Sequence, residues 1–285
     1  MKKCMFYEKL NERIKCNLCP HNCLISEGEM GICKQRKNIN GKLISLNYSK
    51  ITSLGVDPIE KKPLYHFMEG TKTLSLGSMG CNFSCKFCQN YRIAKEENPY
   101  YEIVEPKEAV EKALDNNIPS ISFTYNEPTV WYEYVLETAK LAKENNLKTI
   151  CVTNGFINSE PLKKILEYID AFNVDLKAFD SSFYKNLCGG RVEPVLNSLE
   201  IINKKAHLEV TTLVIGGDKG NVKDVKNIIK WISKLDRKIP LHLSRYFPAY
   251  MMKEPPTDIE TLIKLKNIGE EYLDELYIGN VPGIK

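Results

Sequence analysis

Cys81, Cys85 and Cys88 form a C-x3-C-x2-C pattern in the run Gly80-Cys-Asn-Phe-Ser-Cys-Lys-Phe-Cys88. Three thiolates on one short loop can cap three irons of a cubane [4Fe–4S] cluster, a task that suits soft sulfur ligands. A fourth protein ligand is missing nearby, which leaves one iron open, as the unfilled position does in catalytic zinc sites. A zinc knuckle completed by a distant Cys or His has the same spacing. A second group, Cys16, Cys19, Cys23 and Cys33, offers four thiolates and no open position. Structural zinc and an auxiliary [4Fe–4S] cluster both satisfy that set. The chain has ten cysteines, and its first residues, Met1 to Asn17, lack the apolar stretch of a secretory signal. These features place it in a reducing cytoplasm, where clustered cysteines read as metal ligands rather than disulfides.

The elements that must hold these groups follow from the apolar pattern. Residues 1–45 have little periodicity and too few apolar residues for a core of their own, so they read as an N-terminal Cys4 metal-binding module. Residues 46–285 read as one core domain. From about residue 72, short apolar runs alternate with amphipathic helices. Strands are expected at Thr73–Gly77, Ser120–Tyr125, Thr149–Thr153, Phe172–Leu176, Leu208–Ile215 and Leu241–Tyr246, with a last apolar run at Leu276–Ile278. The intervening helices include one opened by Pro106 and others near Thr129–Asn146, Glu160–Tyr168, Pro194–Lys204, Val222–Leu235 and Asp258–Leu273. Such alternation implies a parallel α/β sheet, either open and doubly wound or a full or partial barrel. In both, ligands bind at the carboxyl ends of the strands. Cys81 follows the first strand directly.

Composition excludes several classes. Hydrophobic residues are 43% and charged residues 27% of the chain, the profile of a globular protein rather than a disordered one. No apolar run has the roughly 18 to 20 residues that a membrane span needs. The net charge is only +4, with 40 basic residues against 36 acidic ones. Pairs such as Lys61-Lys62 and Lys204-Lys205 read as solvated surface, so neither membrane nor nucleic acid is an expected partner.

The cysteine loop resembles that of the radical S-adenosylmethionine (SAM) superfamily, with Phe87 at the aromatic position before its last cysteine. Further phrases resemble the pyruvate formate-lyase activating-enzyme branch. Tyr125-Asn126-Glu127-Pro128 stands where that branch has a Gly-Gly-Glu-Pro-like segment, so Glu127 is matched while the glycines are replaced. Thr153-Asn154-Gly155 and Asp175-Leu176-Lys177 match the ends of strands three and four, and Val214-Ile215-Gly216-Gly217 the strand-five element near the adenine. The wider match is to the radical enzyme of the AmmeMemoRadiSam system. It rests on Cys19-Pro-His-Asn-Cys23, Asp57-Pro-Ile-Glu-Lys-Lys-Pro-Leu64, Cys88-Gln-Asn90, Tyr125-Asn-Glu-Pro128, Leu187-Cys-Gly189, Thr211-Thr-Leu-Val-Ile215, His242-Leu-Ser-Arg245 and Gly279-Asn-Val-Pro-Gly283. Members often carry a Cys-containing tail beyond that last phrase, and this chain stops at Lys285.

The resemblance implies a partial (β/α)6 barrel of the radical SAM type with a small N-terminal Cys-rich module. It implies a [4Fe–4S] cluster on Cys81, Cys85 and Cys88, and SAM cleaved reductively to a 5′-deoxyadenosyl radical. Cofactor contacts are expected from Asn126, Glu127, Thr153, Asn154, Gly155, Asp175, Lys177 and His242. Glu127 suits the ammonium, Lys177 the carboxylate and Asp175 the ribose hydroxyls. Each has a plainer reading: Glu127 as a helix start, Asp175 and Lys177 as an ion pair, His242 as a packed residue. Cys151 reads as core, and Cys188 as a thiol that faces the site. The electron donor implied is of flavodoxin or ferredoxin type, and the substrate is a backbone glycine of a protein or another protein or small molecule. The contrasting class is a non-catalytic zinc protein, which would be colourless and would not bind SAM.

Overall fold

The computed structural model describes residues 2–96, 98–217 and 220–283. Seven parallel strands form its centre: β1 Lys72–Gly77, β2 Ser120–Phe123, β3 Lys148–Thr153, β4 Ala171–Asp175, β5 His207–Val214, β6 Leu241–Arg245 and β7 Leu276–Gly279. They pair strictly in chain order, β1 to β7, and Ser53–Pro58 adds an antiparallel strand outside β1. A doubly wound sheet reverses direction at a switch point, and this one never does. Every crossover helix therefore lies on one face and the sheet curls around the other. No pairing joins β7 to Ser53–Pro58 among the described residues, so the barrel is partial. Six strand–helix units precede β7, as expected of a (β/α)6 barrel.

The helices that pack outside are α1 Pro106–Asp115, α2 Tyr132–Glu144, α3 Ser159–Ile165, α4 Glu193–Asn203, α5 Val222–Asp236 and α6 Ile259–Gly269. Pro106 occupies the first turn of α1, where its missing N–H costs nothing. The barrel interior is polar. Thr73 and Ser122 hydroxyls meet at 2.7 Å, and Thr211 Oγ1 donates to Asn173 Oδ1 at 2.9 Å. The amino-terminal mouth is plugged by the segment after Ser53–Pro58: Tyr65 and His66 amides donate to Glu209 at 3.0 and 2.8 Å. No helix among the described residues is long and apolar enough to cross a membrane.

The N-terminal region consists of two small antiparallel sheets, one of Lys2–Lys3, Lys42–Ser45 and Arg36–Ile39, the other of Tyr7–Leu10, Arg13–Cys16 and Leu24–Ile25. Asn40 and Gly41 both have positive φ (53° and 65°), as a two-residue hairpin of twist-matching hand requires. The module does not stand apart. Ile14, Leu18, Ile25 and Leu43 belong to the same buried cluster as the barrel residues. Arg36 and Glu133 of α2, 1% and 3% exposed, form a buried ion pair, and Met5 donates its amide to the same carboxylate at 2.7 Å. A buried pair of this kind costs about 3–5 kcal/mol when one partner is removed.

Candidate metal and cofactor site

The cysteine loop leaves the top of β1 under tight control. Asn126, buried just past β2, accepts from the Ser78 amide at 2.9 Å and donates to the carbonyls of Met79 and Gly80 at 3.2 and 3.1 Å. Its amide group is thus spent on the residues directly before Cys81. Tyr125 stands at φ 69°, where the related segment has glycine. The partner position compensates: a Cβ on Gly77 would lie 2.9 Å from the Tyr125 Cβ, so the close approach is moved to the neighbouring strand. Asn90 Nδ2 donates to the Tyr125 carbonyl at 2.8 Å, which ties the end of the cysteine loop to the same turn.

Cys81, Cys85 and Cys88 line one cavity of about 270 Å³ at the carboxyl ends of the strands. Asn126, Glu127, Thr153, Asn154, Asp175 and Lys177 line it too, as do Thr211 on β5 and Ser244 on β6. Six successive strand ends therefore converge on one space. Glu127 is held from three sides: the Thr129 amide at 3.0 Å, Thr153 Oγ1 at 2.7 Å and the Asn154 amide at 2.8 Å. Burial raises its carboxyl above the ordinary range, and those donors oppose the rise. Lys177 Nζ sits 2.9 Å from Asp175 Oδ2. Burial would lower the lysine, but the Asp175 carboxylate beside it outweighs that and raises it.

Burial pushes the Cys81 thiol up to about 12, and it also raises Cys88. Cys85 is raised first by a hydrogen bond with Cys188 and then by burial. Such thiols keep their protons until a soft metal displaces them. Lys95 and Lys177 provide positive charge nearby: Lys95 acts on all three thiols, and its Nζ donates to the Phe83 carbonyl. Three soft donors on one loop, with Lys177 lining the same roomy cavity and Lys95 close to the thiols, fit a [4Fe–4S] cluster with space beside it for a ligand. Among the described residues, no three His, Cys, Asp or Glu side chains stand close enough together to hold a single ion. The metal assignments therefore rest on the donor sets.

Two expected contacts lie elsewhere. His242 pairs with Thr211 and Tyr277 at the lower half of β6, where Nε2–H donates to Glu209 Oε2 at 2.6 Å and the ring packs against Tyr65 and Tyr277. It is fixed in the barrel floor and does not line the cavity. Gly155, at φ 68°, also lies outside it; a Cβ there would meet Val174 Cγ1 at 2.9 Å, so the glycine serves the turn. Lys95 lies in no motif of the sequence, while Thr211 and Ser244 fall within the Thr211–Ile215 and His242–Arg245 phrases without being expected as contacts. Thr211 lies midway along β5 and Ser244 near the end of β6, whereas nothing local marks Lys95. Cys151 is buried in β3. Cys188 is fully buried behind the loop, its carbonyl accepting from the Ser84 amide at 2.7 Å.

The N-terminal thiols Cys16, Cys19, Cys23 and Cys33 border a second, much smaller space of about 20 Å³, together with His21 and Arg36. Arg36 points toward Cys16 Sγ at 3.9 Å. Cys4, unassigned from sequence, lies buried close to Cys16 and Cys33.

Residues 76–232 match the family model described as the Radical SAM superfamily. An uncharacterized protein of Methanocaldococcus jannaschii is 45% identical over 99% of this chain and 86% of its own length. The pyruvate formate-lyase-activating enzyme of Clostridium pasteurianum is 27% identical over 69% of this chain and 88% of that enzyme. Among solved structures, Streptococcus suis SuiB bound to S-adenosylmethionine superposes with a TM-score of 0.58 at 17% identity, over 71% of this chain and 48% of SuiB, a likeness of fold alone. With more than half its length matched by that model and a close relative along nearly all of it, the chain belongs to the radical SAM superfamily.

Proposed function

We propose that this chain holds a [4Fe–4S] cluster on Cys81, Cys85 and Cys88 and binds SAM beside it, for hydrogen abstraction of the glycyl-radical activating type. Family membership implies the cluster and SAM. The observation that carries the residue assignment is the single cavity shared by the three thiols and polar residues of the five strands that follow. When bound, the cluster supplies the electron that cleaves SAM to a 5′-deoxyadenosyl radical. Glu127, rigid among three donors, offers its remaining lone pairs to the amine of SAM. Lys177 exchanges its Asp175 partner for the carboxylate of SAM, which frees Asp175 for ribose hydroxyls. Asn126 fixes the loop and Asn154 links Glu127 to it, since Asn154 Nδ2 reaches Cys81 Sγ at 3.7 Å.

The activating-enzyme reading draws on the likeness to the Clostridium pasteurianum enzyme, with a backbone glycine as substrate and a flavodoxin- or ferredoxin-type protein as reductant. A radical reaction on another protein or a small molecule uses the same cavity. The four N-terminal cysteines are proposed as a second metal site, zinc or iron–sulfur. The test is SAM binding followed through the electron paramagnetic resonance (EPR) spectrum of the reduced cluster, anaerobically. A spectrum changed by SAM in the parent and unchanged in Glu127→Ala supports the assignment, and an unperturbed parent spectrum overturns it.

A further inference from the structure

We propose that the N-terminal cysteine module positions the cluster loop, with His21 as the positioning residue. This rests on the functional reading above. His21 lies between Cys19 and Cys23, so the turn that carries it belongs to the cysteine module. Its Nε2 meets the Asn82 carbonyl at 2.7 Å; a carbonyl can only accept, so the imidazole donates. The ring also packs edge-on against Phe156, with centroids 5.0 Å apart. Asn82 stands inside the cluster motif, directly after Cys81.

The contact continues inward without a gap. Asn82 Nδ2 donates to the Phe156 carbonyl at 2.8 Å, and Asn82 Oδ1 accepts from Asn154 Nδ2 at 2.9 Å. The Asn154 amide in turn donates to Glu127 Oε2. Asn82, Asn154 and Glu127 are all buried, so solvent cannot absorb a displacement along this line. The other flank of Cys81 is held as well. Gly80, at φ 85°, lies so close to the module that a Cβ would sit 3.0 Å from the Cys33 carbonyl and 2.5 Å from Gln35 Cγ. The module therefore grips the loop on both sides of Cys81, from positions beside its own cysteines. Its role is to set where Cys81 stands and how Asn154 and Glu127 face the cavity, whichever metal it holds.

The test uses full-length, anaerobically reconstituted protein. His21→Ala and His21→Phe both remove the donor, and the phenylalanine keeps the ring packed on Phe156; His21→Gln keeps an N–H donor. Iron and zinc content, the EPR spectrum of the reduced cluster with and without SAM, and the apparent SAM affinity are measured for each. His21→Ala and His21→Phe are expected to shift the EPR signal and weaken SAM about fivefold, the effect of one buried hydrogen bond. His21→Gln is expected to recover most of both. If His21→Ala does not fold, His21→Phe decides. A donor-less variant with the parental spectrum and affinity overturns the coupling alone. A parent with no cluster signal overturns the functional reading itself, and the coupling with it.

Discussion

Replacing Asn126 probes how the loop is held, independently of any bound group. In Asn126→Ala the Met79 carbonyl keeps a partner, because Asn47 Nδ2 also donates to it at 3.1 Å. The Ser78 amide and the Gly80 carbonyl lose the partner that Asn126 gave them. An unsatisfied buried group costs about 1–3 kcal/mol, and water from the adjoining cavity relieves part of it, so about 2–4 kcal/mol is expected in all. Asn126→Asp is the sharper probe. It is nearly isosteric and keeps the acceptor for Ser78, but it turns a carboxylate oxygen toward two carbonyl oxygens. It is expected to be no more stable than Asn126→Ala at neutral pH, and both variants should take up less iron on reconstitution. The assay is urea unfolding of metal-free, reduced protein, followed by circular dichroism. An Asn126→Ala within about 0.5 kcal/mol of the parent, or an Asn126→Asp as stable as the parent, would refute the reasoning.

Other consequences follow from the same contacts. Glu127→Gln must turn an N–H toward one of the three donors now facing the carboxylate, so SAM affinity should fall about 10- to 100-fold in equilibrium dialysis, and unchanged affinity contradicts the assignment. Glu209, fully buried, is held at about 2 against an ordinary 4.5: burial would raise it, but His207, His242 and two backbone amides outweigh that. Its depressed value contributes about 3 kcal/mol above pH 4.5, which is lost as pH falls toward 2; Glu209→Gln should be less stable at pH 7 and flatter across that window in urea unfolding. Arg36→Met leaves the buried Glu133 without its cation and should cost about 3–5 kcal/mol. Adding Glu133→Leu should recover much of that loss in a double-mutant cycle; strict additivity would mean that the pair does not interact.

The parts of this molecule legible in sequence are those written in local pattern. Strand ends came within a residue or two because apolar runs stop where backbone pairing stops, and the cysteine loop was legible because cluster ligation demands its spacing. The alternation by itself does not separate a doubly wound sheet from a barrel; the resemblance carried by the motifs pointed to the partial barrel, and the order of pairing agrees with it. His242 shows a second limit. Its strand was correct, but its height in the barrel depends on register against Thr211 and Tyr277, which strand pattern does not encode. Asn126 shows a third, since its place at the cavity was expected while its engagement with Ser78, Met79 and Gly80 is a long-range fact. The N-terminal hairpins are hard to read from sequence although Asn40-Gly41 is a strong turn signal, because the flanking residues do not alternate clearly. Ser53–Pro58, with Gly55 inside it and Pro58 at its end, was obscured in the same way.

The most direct test of the central claim compares the parent with Cys85→Ala after anaerobic reconstitution, by iron content and by 5′-deoxyadenosine formed from SAM under dithionite. The account predicts a parent that carries a [4Fe–4S] cluster and releases 5′-deoxyadenosine, and a variant that loses both while any metal at Cys16, Cys19, Cys23 and Cys33 remains. Equal iron and equal nucleoside in parent and variant would contradict the cluster assignment, and a parent holding zinc alone with no nucleoside product would contradict the proposed chemistry.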